Sequence, residues 1–386
     1  MSAGLVLSGG GATGAYEVGV LKALLTGHSP VTGGRPPELG SIAATSIGSF
    51  NASVLLSNYD GRAWDGALAA LESTWVDKIA AVCAISPNGV YRFRPDFIEW
   101  LNLSTWLSPL GPARELASDA NYIARDWTAR MSGLFAGSGG FAHRFAELFD
   151  VSTFITPEPS ELLVRASLVP SRIRESPVQL RVTATQWENG TLRLFRNGDF
   201  TDDGAAAIVR ASGAIPGFFP PVSIEGQQYV DGGVVLNTPL KPAIDAGADV
   251  LHVIYLDPTL GAIPLRPIGS TIDTIGRLFV ASFAATMRRD LEVAAKTNLE
   301  VAKTNREMAA KTNREVAAGR RQDSHRAITI HIYHPQKDTG GALGMLDFER
   351  GRIVALAERG YRDAVEHDCE RAGCLNGTVT HHGTRR

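Results

Sequence analysis

Apolar and polar positions along the chain follow two periods. Short runs rich in Leu, Val and Ile recur at 4–8, 41–45, 162–168, 178–185, 191–195, 228–230, 250–256 and 327–333. Each has strand length and is bounded by glycine, proline or polar residues, which predicts strands. Helical spacing runs over 15–25, 47–57, 205–211 and 346–365. The run at 4–8 is Leu- and Val-rich throughout, as expected of a buried parallel strand. Glu188-Asn189-Gly190 between two of the runs predicts a hairpin turn.

Two regions break this rhythm. Residues 58–150 carry Trp64, Trp75, Trp100 and Trp106, an apolar stretch over 97–107 and a glycine-rich break at 137–140. They read as a helical or lid-like insertion. Its tryptophans are either core or a surface that meets lipid, since indole favours the border between apolar and wet surroundings. Between 291 and 318 the motif LEVAAKTN recurs in altered form, starting at Leu291, Leu299, Arg306 and Arg314. Ala, Glu, Lys and Arg favour a long helix over 285–319, ended by Gly319. Its apolar stripe is narrow, so the expectation is a mostly solvated helix, the alternative being a partner-binding or lipid-surface arm through 291–318.

The composition fits a globular chain: 386 residues, 44% hydrophobic and 20% charged. The net charge of −2 gives no basis for nucleic-acid binding. Three cysteines are too few for a disulfide framework, and Cys369 with Cys374 has neither metal-ligand spacing nor evident companions, so no metal is expected. No apolar run reaches the ~20 residues of a membrane span, and no basic leader precedes the first strand. The expectation is a cytoplasmic chain that meets membranes only at their surface.

Three places carry candidate chemistry. Strand 4–8 runs into Gly9-Gly10-Gly11-Ala12-Thr13-Gly14 and then a helix. Such a loop is a nest of backbone N–H groups for negative charge, either a pyrophosphate or the oxyanion of a tetrahedral intermediate. No G-K-[ST] follows, and the next strand ends in Ser46 rather than an acidic ribose ligand, which favours the oxyanion. Ser46 lies at a strand-to-helix corner between Ala44 and Gly48. It is either an exposed nucleophile on a tight elbow or a helix N-cap. Asp231 ends an apolar strand before Gly232-Gly233, and reads as a buried carboxylate or a surface hairpin turn.

Four segments, in this order and spacing, resemble the patatin-like phospholipases: GLVLSGGGATGAYEVGVLKAL (4–24), ATSIGS (44–49), ASGAIPGFFPPV (211–222) and YVDGGVVLNTPL (229–240). The resemblance implies a three-layer α/β/α fold with a mostly parallel sheet, as one domain over 1–372; the two helical insertions lie outside what the resemblance covers, and the tail at 373–386 is expected to be disordered. It implies Ser46 as nucleophile and Asp231 as base without a histidine. Gly9, Gly10 and Gly11 become the oxyanion loop, and Gly14, Ala44, Gly48, Gly232 and Gly233 support the motifs. No cofactor is implied, and the substrate class is phospholipid or lysophospholipid. Two positions depart from the family's pattern. Ala44 stands for the first glycine of the elbow, and Thr13 stands where Arg or Lys is usual. A catalytically silent lipid-binding or interaction protein on the same fold is the alternative.

Overall fold

The first sixty residues build the centre of the molecule. The computed structural model describes residues 2–81, 88–93, 155–156, 158–216, 218–256, 271–315, 327–337, 339 and 344–375. Strand β1 (Ala3–Leu7) leads through the glycine loop into α1 (Gly14–Leu25), and β2 (Leu39–Thr45) leads through Ser46 into α2 (Ile47–Asn58). Helix α3 (Asp65–Ser73) continues into a π-helical turn, Thr74–Ile79. Strands β3 (Arg92–Phe93) and β4 (Ile155–Thr156) form a small antiparallel pair. Then come α4 (Glu158–Ser167), α5 (Pro170–Glu175), the hairpin β5 (Gln179–Gln186) and β6 (Leu192–Arg196), and α6 (Ala205–Ser212). Strands β7 (Val222–Ile224) and β8 (Gln227–Asp231) precede α7 (Gly233–Leu236), α8 (Leu240–Asp245) and β9 (Val250–Ile254). The long α9 (Thr271–Glu315), β10 (Thr329–Tyr333), α10 (Arg350–Val365) and α11 (Cys369–Ala372) complete the chain.

Strands β10, β9, β1, β2 and β5 run parallel in that order, and β6, β8 and β7 add antiparallel pairing to form one eight-stranded sheet. Side chains alternate across it as the pleat requires. Leu5, Leu7, Ile42 and Ala44 enter a core with α1, α2 and α10, while Val6, Ala43, Leu251 and Val253 enter another with α8 and α9. The fold is therefore three-layered, α/β/α, with a mostly parallel central sheet.

One register detail positions the site. Strand β5 pairs with β2 through Thr45 and Thr183, and β6 runs along residues 181–185 of β5. Since β8 pairs with Ala184, Thr185 and Gln186, it lies on the edge that β2 vacates. The last residue of β8, Asp231, opposite Ala184, thus arrives where β2 stops.

Several expectations change. Residues 162–168 are not a strand but lie mainly in α4. Burial there is one-sided, with Val164 in the core and Leu162 64% exposed. Glu161 and Arg165 pair at 3.3 Å across one helical turn. The repeat helix is mostly solvated over its described part, as expected, while Leu291 and Ala294, with Met287 before the repeat, pack on the sheet. Asn298 extends that stripe, donating to the Ile328 carbonyl at 2.7 Å and accepting its N–H at 2.9 Å. Trp64 and Trp75 are core: Trp64 stacks on Tyr59, and Trp75 donates to Asn51 at 2.7 Å. Trp100, Trp106, the glycine-rich break and the helix end at Gly319 lie outside the described residues. The tail expected from 373 begins ordered, with Leu375 bonded to Ile330 at 2.7 and 2.8 Å. Folding also supplies Cys369 and Cys374 with companions, His331 from β10 and His367 after α10, which no local spacing announces.

Candidate active site

Ser46 sits at the corner with φ 55° and ψ −124°. For a non-glycine residue this conformation costs on the order of 1–3 kcal/mol and persists only when its surroundings enforce it. They do so on three sides. Ala44 and Thr45 are locked in pairing with β1 and β5. The Ser46 N–H donates to Ser212 Oγ at 2.9 Å. Its carbonyl accepts from the Ser49 N–H at 2.9 Å and the Ser49 hydroxyl at 2.6 Å. The Ser46 side chain makes no capping bond to α2. Its hydroxyl instead donates to Asp231 Oδ2 at 2.7 Å. The two motifs, far apart in sequence, meet in one hydrogen bond.

Asp231 is buried, not a surface turn residue. Its Oδ1 accepts from the Gly233 N–H at 2.7 Å, and its backbone is held by Ala214 and Thr185. Burial pushes its pKa from 3.8 up to about 7, against the opposing pull of the Gly233 N–H and the Ser46 hydroxyl. A carboxylate in this range can take and return a proton at neutral pH. No histidine among the described residues bonds to either side chain. Gly232 and Gly233 allow the approach, since a Cβ on Gly232 would collide with Thr183 and one on Gly233 would come within 2.8 Å of Asn237 Oδ1.

The three glycines divide their roles. Sequence placed all of them in one donor loop, but the Gly9 N–H is committed to Asn237, to its Oδ1 at 3.2 Å and its carbonyl at 3.3 Å. Asn237 Nδ2 returns a bond to the Gly9 carbonyl at 3.2 Å. Gly9 is there for close approach, because a Cβ would lie 2.9 Å from that of Ser46. The N–H groups of Gly10 and Gly11 have no acceptor among the described residues. Gly11 has φ 58°, and a Cβ on it would strike the Met345 carbonyl. Gly14 opens α1, where Ile47 and Trp75 leave no room for a side chain.

Both departures from the family pattern have a local account. Ala44 is a regular strand residue, fully buried and paired on both sides, so its methyl needs no special backbone. The residue that must be glycine is Gly48, where a Cβ would meet the Leu7 carbonyl oxygen at 2.6 Å. Thr13 is buried, and its hydroxyl donates to the Gly10 carbonyl at 2.7 Å, tying the loop without a cation.

Ser46 and Gly11 open onto a cleft with a cavity volume of about 100 Å³. Its walls are largely apolar, among them Ile47, Phe50, Val209, Ile215, Phe219 and Phe348. Arg210 stands at the cleft but is neutralised by Glu161 at 2.8 Å. Sequence reasoning missed Ser212 and Asn237. Both lie inside recognisable segments, yet neither residue type marks itself as a support for a residue more than 160 positions away.

A sequence model of the patatin-like phospholipase family matches residues 5–244. An uncharacterized Escherichia coli (strain K12) protein, YjjU, is 32% identical over 124 residues, 29% of this chain and 34% of its own length. An uncharacterized NTE family protein of Mycobacterium tuberculosis (strain H37Rv), Rv1063c, is 30% identical over 94 residues, 24% of this chain and 25% of its own. The chain thus spans about a third or less of the curated relatives it matches. Among solved structures, VipD from Legionella pneumophila aligns with TM-score 0.40 and 14% identity over 95% of this chain and 66% of that one. The ExoU–SpcU heterodimer of the Pseudomonas aeruginosa type III secretion system aligns with TM-score 0.28 and 19% identity over 76% and 51%. With the family match extending from β1 into α8, the chain belongs to the patatin-like phospholipase family.

Proposed function

We propose that the chain hydrolyses carboxylic esters of phospholipids or lysophospholipids through a Ser46–Asp231 dyad. The observation that carries this reading is the 2.7 Å bond from the Ser46 hydroxyl to a buried carboxylate. As an ester carbonyl enters the cleft, Ser46 Oγ attacks its carbon and the hydroxyl proton passes to Asp231 Oδ2. The Gly10 and Gly11 N–H groups receive the developing oxyanion, each such donor being worth roughly 3–4 kcal/mol in comparable sites. Collapse of the tetrahedral intermediate breaks the ester C–O bond, and Asp231 returns the proton to the leaving alcohol. A water molecule then attacks the acyl-enzyme, giving its proton to Asp231, and the fatty acid leaves as Ser46 recovers its hydroxyl. The apolar walls suit an acyl chain. No helix among the described residues is long and apolar enough to cross a membrane, so substrate meets the site at a lipid surface in this scheme.

The test is labelling of the full chain by a fluorophosphonate probe, with phospholipid and lysophospholipid turnover scored in the same samples. The expected result is labelling and turnover in the wild type and neither in Ser46→Ala. A folded wild type that neither labels nor turns over lipid, with or without vesicles, would support the catalytically silent reading instead.

A further inference from the structure

A second cluster of reactive side chains lies away from Ser46, at the outer edge of the sheet. Helix α10 ends at Val365, and the chain continues through His367, Asp368 and Cys369 into α11. Asp368 caps α11 by accepting from the Glu370 N–H at 2.9 Å and the Arg371 N–H at 3.3 Å. Gly373, with φ 74°, then turns the chain back, and the Cys374 N–H donates to the Cys369 carbonyl at 2.9 Å. Pairing of Leu375 with Ile330 presses this loop against β10, beside His331.

The result is four ligand-type atoms, one each from His331, His367, Cys369 and Cys374, all within 4.8 Å of one another. Cys369 Sγ lies 3.5 Å from His331 Nδ1 and 3.5 Å from His367 Nε2, and Cys374 Sγ lies 3.3 Å from the same His367 nitrogen. Zinc–nitrogen bonds of about 2.0–2.1 Å and zinc–sulfur bonds of about 2.3 Å put neighbouring N and S atoms of a tetrahedral site about 3.5 Å apart. The three contacts have the edge length of such a tetrahedron. We propose that His331, His367, Cys369 and Cys374 bind one zinc ion in a closed Cys₂His₂ site that fastens the C-terminal loop to the edge of the sheet.

The surroundings fit that role. The Ile332 N–H donates to Cys374 Sγ at 3.2 Å, the kind of outer contact that supports a metal-bound thiolate. The buried ring of His252 stacks on His331 at 5.4 Å, and Tyr333 lies 4.4 Å from the His367 ring. Binding forms two Zn–S and two Zn–N bonds, releases the two thiol protons to solvent and changes no oxidation state. Four protein ligands fill the tetrahedron, so the ion is structural and leaves no position for substrate. Strand β10 is three strands from β2, about 14 Å at ordinary strand spacing. The zinc therefore holds the C-terminal edge and takes no part in ester chemistry.

The test uses the full chain expressed with zinc, purified under reducing conditions and dialysed against metal-free buffer. Elemental analysis should find about one zinc per chain in the wild type and in Ser46→Ala, and less than about a tenth of that in Cys369→Ser/Cys374→Ser. Cobalt(II) added to metal-free wild type should give the intense visible bands of tetrahedral coordination with thiolate-to-cobalt charge transfer. This readout needs only the folded wild-type chain, so a variant that fails to fold does not blunt the test. Folded, reduced wild type with neither zinc nor those bands would overturn the proposal. So would octahedral cobalt spectra, or a Cys369–Cys374 disulfide persisting in the reduced preparation.

Discussion

Replacing Asp231 by Asn should abolish turnover and, above neutral pH, make the fold more stable. The carboxyl is buried, and desolvation raises its pKa from 3.8 to about 7. In the unfolded chain it ionises near the ordinary value. Between those two values the native state holds a proton that the unfolded chain has lost. Stability is therefore fully present below about pH 4 and declines as pH rises through about 7, where the native carboxyl also ionises. A shift of about three units at 1.36 kcal/mol each puts the penalty at roughly 4 kcal/mol above that window, an upper figure. Asn carries no charge at any pH. Its Oδ1 can accept the Gly233 N–H, and its Nδ2 can donate to Ser46 Oγ, so the buried groups stay partnered while the base is gone. Thermal melts of wild type and Asp231→Asn from about pH 4.5 to about pH 8.5 would read this directly. The two curves should nearly coincide at the acid end and diverge by several degrees at the alkaline end, with the variant higher. Wild-type kcat/KM should rise over the same window, following ionisation of the base. A gap independent of pH, or a variant that melts lower at alkaline pH, would refute the desolvation argument.

Three further substitutions probe the supports. Asn237→Ala strips the buried Gly9 N–H and carbonyl of side-chain partners, which should cost about 1–3 kcal/mol in denaturant unfolding. The same variant should lower kcat through a loosened loop. At the elbow, Ala44→Gly should lose about 0.5–1 kcal/mol and gain no turnover, because the position is ordinary strand. Gly48→Ala should lose probe labelling, since its new methyl would press on the Leu7 carbonyl.

Much of the site was legible because local chemistry leaves local marks. A serine flanked by small residues at a strand-to-helix corner, and glycines between a strand and a helix, are demanded by crowding over a few residues. What was misread depended on partners. Gly9 looks like Gly10 and Gly11 in sequence, and only Asn237 makes its N–H unavailable. Residues 162–168 have strand-like composition, and the Glu161 pairings with Arg165 and Arg210 accompany helix instead. Gly19 and Gly360 show the same dependence on partners. They are where α1 and α10 touch backbone to backbone, so that a Cβ on either would strike the other helix.

By itself, the order of apolar runs and glycine turns determined the strand-loop-helix unit around Gly9–Gly14, the small-residue corner at Ser46 and the family resemblance that implied the α/β fold, since these express periodicity and steric need within short windows. Tertiary structure decided which carboxylate meets Ser46, because that follows from β2 stopping at Thr45 and β8 taking over the same edge of β5. It also decided the environment that raises the Asp231 pKa, and the gathering of His331 and His367 around two cysteines. Burial and proximity belong to the packed sheet and its layers, and no window of sequence carries them.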